Sequence, residues 1–307
     1  MPPLHLLVIA HPDDESMFFS PLLSSLPPND ARLLSLTDGD HPPSKGAVRR
    51  RELLKAAKEF GIEPGHVKVA DLAEAGVFDS PSQRWPNDPI HSFLEGHLSG
   101  LLAGRPGAPV FVYTFDEAGV SGHANHADTF LALRAFYYGL PLAASGGRAF
   151  RDPATGLAHP LELHALHTYP PLLKYLPPPP LSPLPLYARL LPPHSFVSGP
   201  PPLAAAALSA HASQLLWYRR LFVRLSSYSH TNLLLPLPPK PEAGPPEPLV
   251  PAAALLLLLP PSLVLLSKLF PELPYLPGPR AVLLSAAAAV LLEYTGWLGR
   301  ALFERNG

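Results

Sequence analysis

Proline limits where this chain can be regular. Of 307 residues 44 are proline, and most stand in runs such as "LPPPPLSPLPL" (176–186) and "PLPPKPEAGPPEP" (236–248). A proline lacks the amide donor and its ring clashes with the preceding turn. The runs therefore exclude helix interiors and central strands, and read as extended surface segments or linkers.

Between and before them the first half alternates. "LHLLVIA" (4–10) and "ARLLSLT" (31–37) are continuous apolar runs, as in strands covered on both faces. Shorter runs follow at 66–70, 108–115 and 161–169. "KGAVRRRELLKAAKEFGI" (45–62) spaces Leu53, Ala56, Ala57 and Phe60 at i, i+3, i+4 and i+7, with Gly61 as a stop. Residues 89–103 and 123–139 read as further helices. Such alternation predicts an α/β fold, a mostly parallel sheet with helices on both faces, over residues 1–170.

The rhythm is lost after 170. A proline-rich insert (171–202) leads to a segment at 203–235, whose residues 208–234 read as one helix carrying Trp217, Tyr218 and arginines suited to an interface. A linker (236–248) then precedes a tail (249–307). In it "LVPAAALLLLLPPSLVLLS" (249–267) is uncharged and "AVLLSAAAAVLLEYTGWLG" (281–299) carries one acid. Both approach the roughly 20 residues that span a bilayer, and Pro260 and Pro261 favour a membrane hairpin or re-entrant pair over a straight helix.

Composition removes several classes of function. A formal net charge of −1 gives no general electrostatic case for nucleic acid. With no cysteine there is no disulfide, zinc ribbon or thiol nucleophile, so a metal site must use histidine and carboxylate. The start, "MPPLHLLVIA", has no cleavable-signal pattern.

Acids and histidines gather where the predicted strands end: His11, Asp13, Asp14 and Glu15; Asp38 and Asp40; Asp71; Asp116, His123 and His126. Open α/β sheets bind ligands outside those ends. His11 and Asp14, three apart beside Pro12, with a histidine from "SGHANH" (121–126), suit a catalytic zinc or another divalent metal, which needs three protein ligands and one open position. Such an ion lowers the pKa of bound water from 15.7 to about 7. On this reading His11, Asp14 and His126 are the ligands and Asp13 is the general base. His123 hydrogen-bonds the oxyanion or protonates a leaving amine, and the reaction is hydrolysis of an amide or ester. The bland alternative for "HPDDE" alone is an acidic helix start, with Asp13 or Asp14 as a cap. Asp38 and Asp40, beside Gly39, read as turn residues.

"AHPDDE" (10–15), "LTDGD" (36–40), "VRRRELLKAAKEFGI" (48–62) and "YTFDEAGVSGHANH" (113–126) resemble the signatures of the PIG-L/LmbE-like de-N-acetylases. "HASQLLWYRRLFVRLSSYSHTN" (211–232) extends the resemblance toward the eukaryotic branch, which acts on N-acetylglucosaminyl-phosphatidylinositol in the second step of glycosylphosphatidylinositol anchor synthesis. The resemblance covers about residues 4–235. It implies a Rossmann-like fold, a zinc or other divalent ion on His11, Asp14 and His126, Asp13 as base, and His123 assisting the tetrahedral intermediate. It further implies Arg49 near the substrate, where its fork can hold a phosphate, and Asp116 as an orienting residue behind the ligands. A glycolipid substrate, a membrane partner and an endoplasmic reticulum location facing the cytosol follow from the same resemblance. Eukaryotic relatives usually carry a transmembrane helix before the first strand, whereas this chain begins at the strand, so either the anchor is lost, the sequence is truncated, or the carboxy-terminal apolar hairpin replaces it. A soluble N-acetylglucosamine conjugate is the rival substrate. A silent membrane scaffold would have no physical need for such acids beside two histidines.

Overall fold

The computed structural model describes residues 1–40, 45–80, 83–143, 145–175, 182, 184–189, 191 and 194–240. The predicted apolar segments 249–267 and 281–299, and most of the linker before them, lie outside these residues. Among the described residues no helix is long and apolar enough to cross a membrane.

In chain order the elements are β1 (Leu4–Ile9), α1 (Asp14–Phe18), α2 (Ser20–Ser25), β2 (Ala31–Ser35), α3 (Gly46–Glu59), β3 (Val67–Val69), α4 (Asn87–Leu102) and β4 (Val110–Phe115). They continue with α5 (Gly119–Gly122), α6 (Ala124–Gly139), β5 (Arg148–Arg151), β6 (Ala158–Leu166), α7 (Pro171–Lys174), α8 (Leu184–Ala188), β7 (Ser195–Ser198), α9 (Pro201–Ala210), α10 (Trp217–Leu225) and β8 (Thr231–Pro236). The helices α7 and α8 belong to a separate compact unit within Tyr169–Leu191; all the other elements belong to the first unit.

The strands form one sheet in the order β3-β2-β1-β4-β6-β8-β7, with β5 pairing on β6. Pairings among β3, β2, β1, β4 and β6 are parallel. Those of β5, β8 and β7 are antiparallel. Five apolar residues of β1 are fully buried, as its continuous apolar run predicts. The crossovers run from β1 outward to β3 and then back to β4 and β6. Because such connections are right-handed, they put α3 on one face of the sheet and α4 and α6 on the other. On the latter face Leu6, Val112, Leu161 and Leu163 meet Leu94, Leu98 and Leu133.

The sequence also explains where α3 stops. Gly61, at φ 73°, permits the left-handed turn in which its N–H donates to Lys58 O (2.9 Å) and that of Ile62 to Ala57 O (3.0 Å). The last carbonyls are thereby satisfied.

Two expectations change. The sheet does not end near 170, because β7 and β8 add antiparallel strands to it; strands this short carry little periodicity of their own. Residues 208–234 are not one helix. The chain leaves α9 at His211, makes a 3₁₀ turn at Ala212–Gln214, forms α10 and then enters β8. Long-range bonds decide this, since His211 is held by Glu15, and the Ser213 N–H and Oγ–H donate to the Glu52 carboxylate at 2.8 and 2.6 Å.

Candidate metal centre at the sheet switch point

Between β2 and β4, the strand β1 marks where the order of the sheet reverses, and the loops after β1 and β4 part there to leave a crevice. The first loop carries His11 to Glu15. Asp14 opens α1 and accepts the His11 N–H through Oδ2 at 2.8 Å. Asp13 sits at φ 127°, a left-handed conformation that costs a non-glycine residue free energy and recurs at functional sites. Glu15, fully buried, holds it there. One carboxylate oxygen accepts the Asp13 N–H (3.0 Å), while the other accepts the Ser16 hydroxyl (2.6 Å) and lies 2.6 Å from His211 Nε2. A helix does start here, but the Asp13 side chain makes no capping bond. Its carboxylate is paired with Arg219, and Arg49 Nη2 stands 3.9 Å away.

The second loop is set by Asp116. Its carboxylate accepts four donors: the Thr168 N–H (2.6 Å) and hydroxyl (2.5 Å), and the N–H groups of Ala118 (3.2 Å) and Gly119 (3.1 Å). Burial nevertheless pushes this carboxyl up to about 6. Thr168 Oγ1 also accepts the N–H of Val120, a β-branched residue at φ 61°. Gly119 must be glycine: its φ is 66°, and a Cβ would stand 3.0 Å from that of His126 and 3.1 Å from Ala127 N. The Gly119 carbonyl lies 3.0 Å from His126 Nδ1, so Asp116 orients that histidine through the loop, without touching it. His126, in the first turn of α6, stacks on Phe115 at 4.1 Å between centroids. His123 caps α6, its Nδ1 accepting the Asn125 N–H at 3.3 Å.

The two loops bring His11, His123 and His126 together, with ligating nitrogens within 4.8 Å of one another, so these three are disposed to hold a metal ion. Asp14 joins them, Oδ1 at 3.1 Å from His126 Nε2 and Oδ2 at 3.7 Å from His11 Nδ1. His126 Nδ1 faces a carbonyl, so that nitrogen carries the hydrogen and Nε2 presents a lone pair to a carboxylate. His11 Nε2 faces two acceptors, Asp79 Oδ1 (3.3 Å) and Asn125 Oδ1 (3.2 Å). Its Nδ1 therefore presents a lone pair to Asp14 as well. Two lone pairs converging on one buried carboxylate call for a cation, and this donor set fits a divalent metal.

The same groups also attract one another as charges. Burial opposes ionising Asp14, yet the protonated forms of His126 and His11 outweigh it and hold the carboxyl far below its ordinary range, so an ion that takes the two lone pairs replaces the two protons. Burial likewise opposes protonating His11, but a hydrogen bond to Asp79 and the charges of Asp14, Asp79 and Asp13 raise it. At Asp13 burial wins, and its carboxyl is raised despite Arg219. At His123 burial and the neighbouring His11 and His126 bring the imidazole down to about 4.

Arg49 is 6% exposed; its two terminal nitrogens meet protein, while its buried Nε has no partner among the described residues. Arg49 donates to the carbonyls of Gly39 and Pro12 (3.0 Å) and to Asp79 Oδ2 (3.2 Å), so it braces the crevice wall. Asp38 accepts the Asp40 N–H (3.1 Å) in a turn and pairs with Arg50 (3.2 Å); Asp71 is exposed and apart. Five residues here carried no signal in the sequence: Asp79 and Asn125 on His11, Arg219 and Gln214 around Asp13, and His211 on Glu15. Of these only Asp79 lies outside the segments already singled out.

The sequence profile of the PIG-L family, described as GlcNAc-PI de-N-acetylase, matches residues 6–137. The bovine N-acetylglucosaminyl-phosphatidylinositol de-N-acetylase is 34% identical over 235 residues, 75% of this chain and 81% of the bovine protein. The chain belongs to the PIG-L family. A probable N-acetylglucosaminyl-phosphatidylinositol de-N-acetylase from Schizosaccharomyces pombe is 27% identical over 234 residues, 75% of this chain and 85% of its own length. Among solved structures, the N,N'-diacetylchitobiose deacetylase from Pyrococcus horikoshii aligns with a TM-score of 0.48 at 15% identity, covering 76% of this PIG-L chain and 84% of that one.

Proposed function

We propose that this PIG-L family protein hydrolyses the acetamide of N-acetylglucosaminyl-phosphatidylinositol, releasing acetate and leaving the glucosaminyl lipid, in the second step of glycosylphosphatidylinositol anchor synthesis. The observation that carries this reading is the cluster of His11, His123 and His126 at one switch-point crevice, with Asp14 against His11 and His126; we take His123 out of the ligand set because the Asn125 N–H engages its Nδ1 and leaves its Nε2 to donate. Membership of a family whose named relatives carry that activity supports it.

His11 Nδ1, Asp14 and His126 Nε2 would hold the metal, zinc or another divalent ion. When bound, it supplies a Lewis acid that acidifies water toward neutral pH. The protein's residues do the rest. Asp13, raised by burial toward the working range of a base, takes a proton from the attacking water as its oxygen bonds to the amide carbon. His123 is neutral near pH 7, and because its Nδ1 accepts the Asn125 N–H, its Nε2–H is free to donate to the developing oxyanion. The carbon–nitrogen bond then breaks, and the proton held by Asp13 passes to the departing amine. Arg219 keeps Asp13 oriented between turnovers. Because the lipid's acyl chains stay in a bilayer, the protein works at a membrane, which we assign to the cytosolic face of the endoplasmic reticulum.

The test is acetate release from N-acetylglucosaminyl-phosphatidylinositol by the purified full chain in detergent, before chelation, after it, and with zinc restored. Chelation should abolish release and zinc should restore it. A full chain that binds zinc, yet deacetylates only soluble N-acetylglucosamine conjugates, overturns the lipid assignment.

A further inference from the structure

The helix α10 is nine residues long, and its two sides face different surroundings. At 100° per residue, Phe222, Arg219 and Val223 share one side. Phe222 meets Phe18 at 5.5 Å, Arg219 pairs with Asp13, and Val223 packs with Ala204 and Leu208 of α9. The opposite arc holds Arg220, Arg224, Trp217, Leu221, Leu225 and Tyr218. Trp217 is 71% exposed, Tyr218 and Leu225 about half, and Leu216 just before the helix 49%. A tryptophan, a tyrosine and two leucines held in water on one short helix and the residue that precedes it form a patch that needs a partner.

The charge that the patch and its own stretch of sequence carry has one sign. The sequence has no aspartate or glutamate between Glu162 and Glu242, while α10 alone carries three arginines. Arg220 and Arg224 also edge a groove between α9 and α10 of about 230 Å³, floored by Ala205, Leu208, Leu215 and Val223. An apolar floor under a cationic rim is complementary to a phospholipid, whose anionic phosphate sits directly above its acyl chains. Tryptophan and tyrosine flanked by arginine are the residues that settle at the boundary of headgroup and hydrocarbon.

We propose that the outer face of α10, from Leu216 to Leu225, docks on the surface of an anionic lipid bilayer. It thereby seats the crevice over a substrate that remains in that bilayer. The inference rests on the lipid-substrate reading and extends it by naming the contacting surface. Arg219 links the two sides: the helix that touches the membrane also supplies the counter-charge of the general base.

The experiment uses the full chain with Trp297→Phe, which leaves Trp85, 6% exposed, and Trp217 as reporters. It is mixed with vesicles of equimolar phosphatidylserine and phosphatidylcholine, the latter brominated on its acyl chains. The emission of Trp217 should shift to the blue and be quenched, and both changes should vanish with Trp217→Phe. Arg220→Gln and Arg224→Gln should each weaken vesicle binding roughly 5-fold, as loss of about 1 kcal/mol per arginine predicts. Vesicle flotation with no quenching of Trp217 would place attachment elsewhere, for instance in the apolar tail, and overturn the proposal. So would absence of binding. Acetate release in detergent is scored separately: quenching without release refutes the substrate reading alone, and release without quenching refutes the docking face alone.

Discussion

The contact between Glu15 and His211 offers the sharpest test of how the crevice is held. Both side chains are fully buried and 2.6 Å apart, and the same carboxylate fixes the backbone of the strained Asp13. His211→Ala leaves Glu15 buried with only the Asp13 N–H and the Ser16 hydroxyl. Breaking a buried ion pair by removing one partner costs about 3–5 kcal/mol. For a domain near 200 residues each kcal/mol lowers Tm by roughly 2–4 °C, so the variant should melt about 10 °C below the parent. The difference should depend on pH with a definite sign. Burial opposes protonation of His211, but the charge and hydrogen bond of Glu15, with Asp13 and Glu52, raise its pKa above 6.5. A raised histidine contributes its full stabilisation below the unfolded value and loses it as pH rises through the folded one. Near-ultraviolet circular dichroism melts at about pH 6 and about pH 9 should therefore show the larger gap at the lower pH. A gap of about 2 °C or less, or one that widens with pH, would refute the account of Glu15 and His211 as a buried ion pair.

Three other outcomes follow from the geometry. Asp13→Asn should keep zinc while turnover falls by roughly 10²–10⁴, as loss of a general base requires; parallel loss of zinc per chain would make Asp13 a ligand. Asp116→Asn must turn an amide NH₂ toward donors on every side, which should cost about 1–3 kcal/mol of stability and weaken zinc binding roughly 10–100-fold through the Gly119 carbonyl; calorimetric titration of the apoprotein reads the second effect. Arg49→Lys loses the planar fork that joins Gly39, Pro12 and Asp79, so Tm should fall by roughly 4 °C or more with KM for the lipid nearly unchanged. A large rise in KM at constant Tm would instead give Arg49 the phosphate-binding role that the resemblance implies.

What could be read from the sequence was local. The strand 4–10 and the turn after it need only neighbours in the chain, and so does α3 with Gly61 beyond it. That His11, Asp14, His123 and His126 would gather at one crevice was legible because their residue types and strand-end positions constrain one another. Asp79 was not, since it follows β3 by ten residues in a loop with no periodicity and meets His11 only through the folded crevice. Arg219 and His211 were invisible for the same reason, lying 206 and 196 residues from their carboxylate partners. The single helix expected at 208–234 failed where tertiary contacts with Glu15 and Glu52 outcompeted local propensity, which is worth only fractions of a kcal/mol per residue. The surroundings of Arg49 could not be read either, because two of its partners are backbone carbonyls, Gly39 and Pro12, which no sequence motif spells.

The link from Arg219 back to Asp13 also has a consequence for the order in which the protein is made. By the time residue 126 has left the ribosome, every proposed metal ligand is already synthesised, yet the base still lacks its arginine and Glu15 its histidine. A nascent chain at that stage could collect an ion without being able to use it. Competence would arrive only with residues 211–219, which lead into the helix that we propose rests on the membrane, so that synthesis, attachment and catalysis would be completed together.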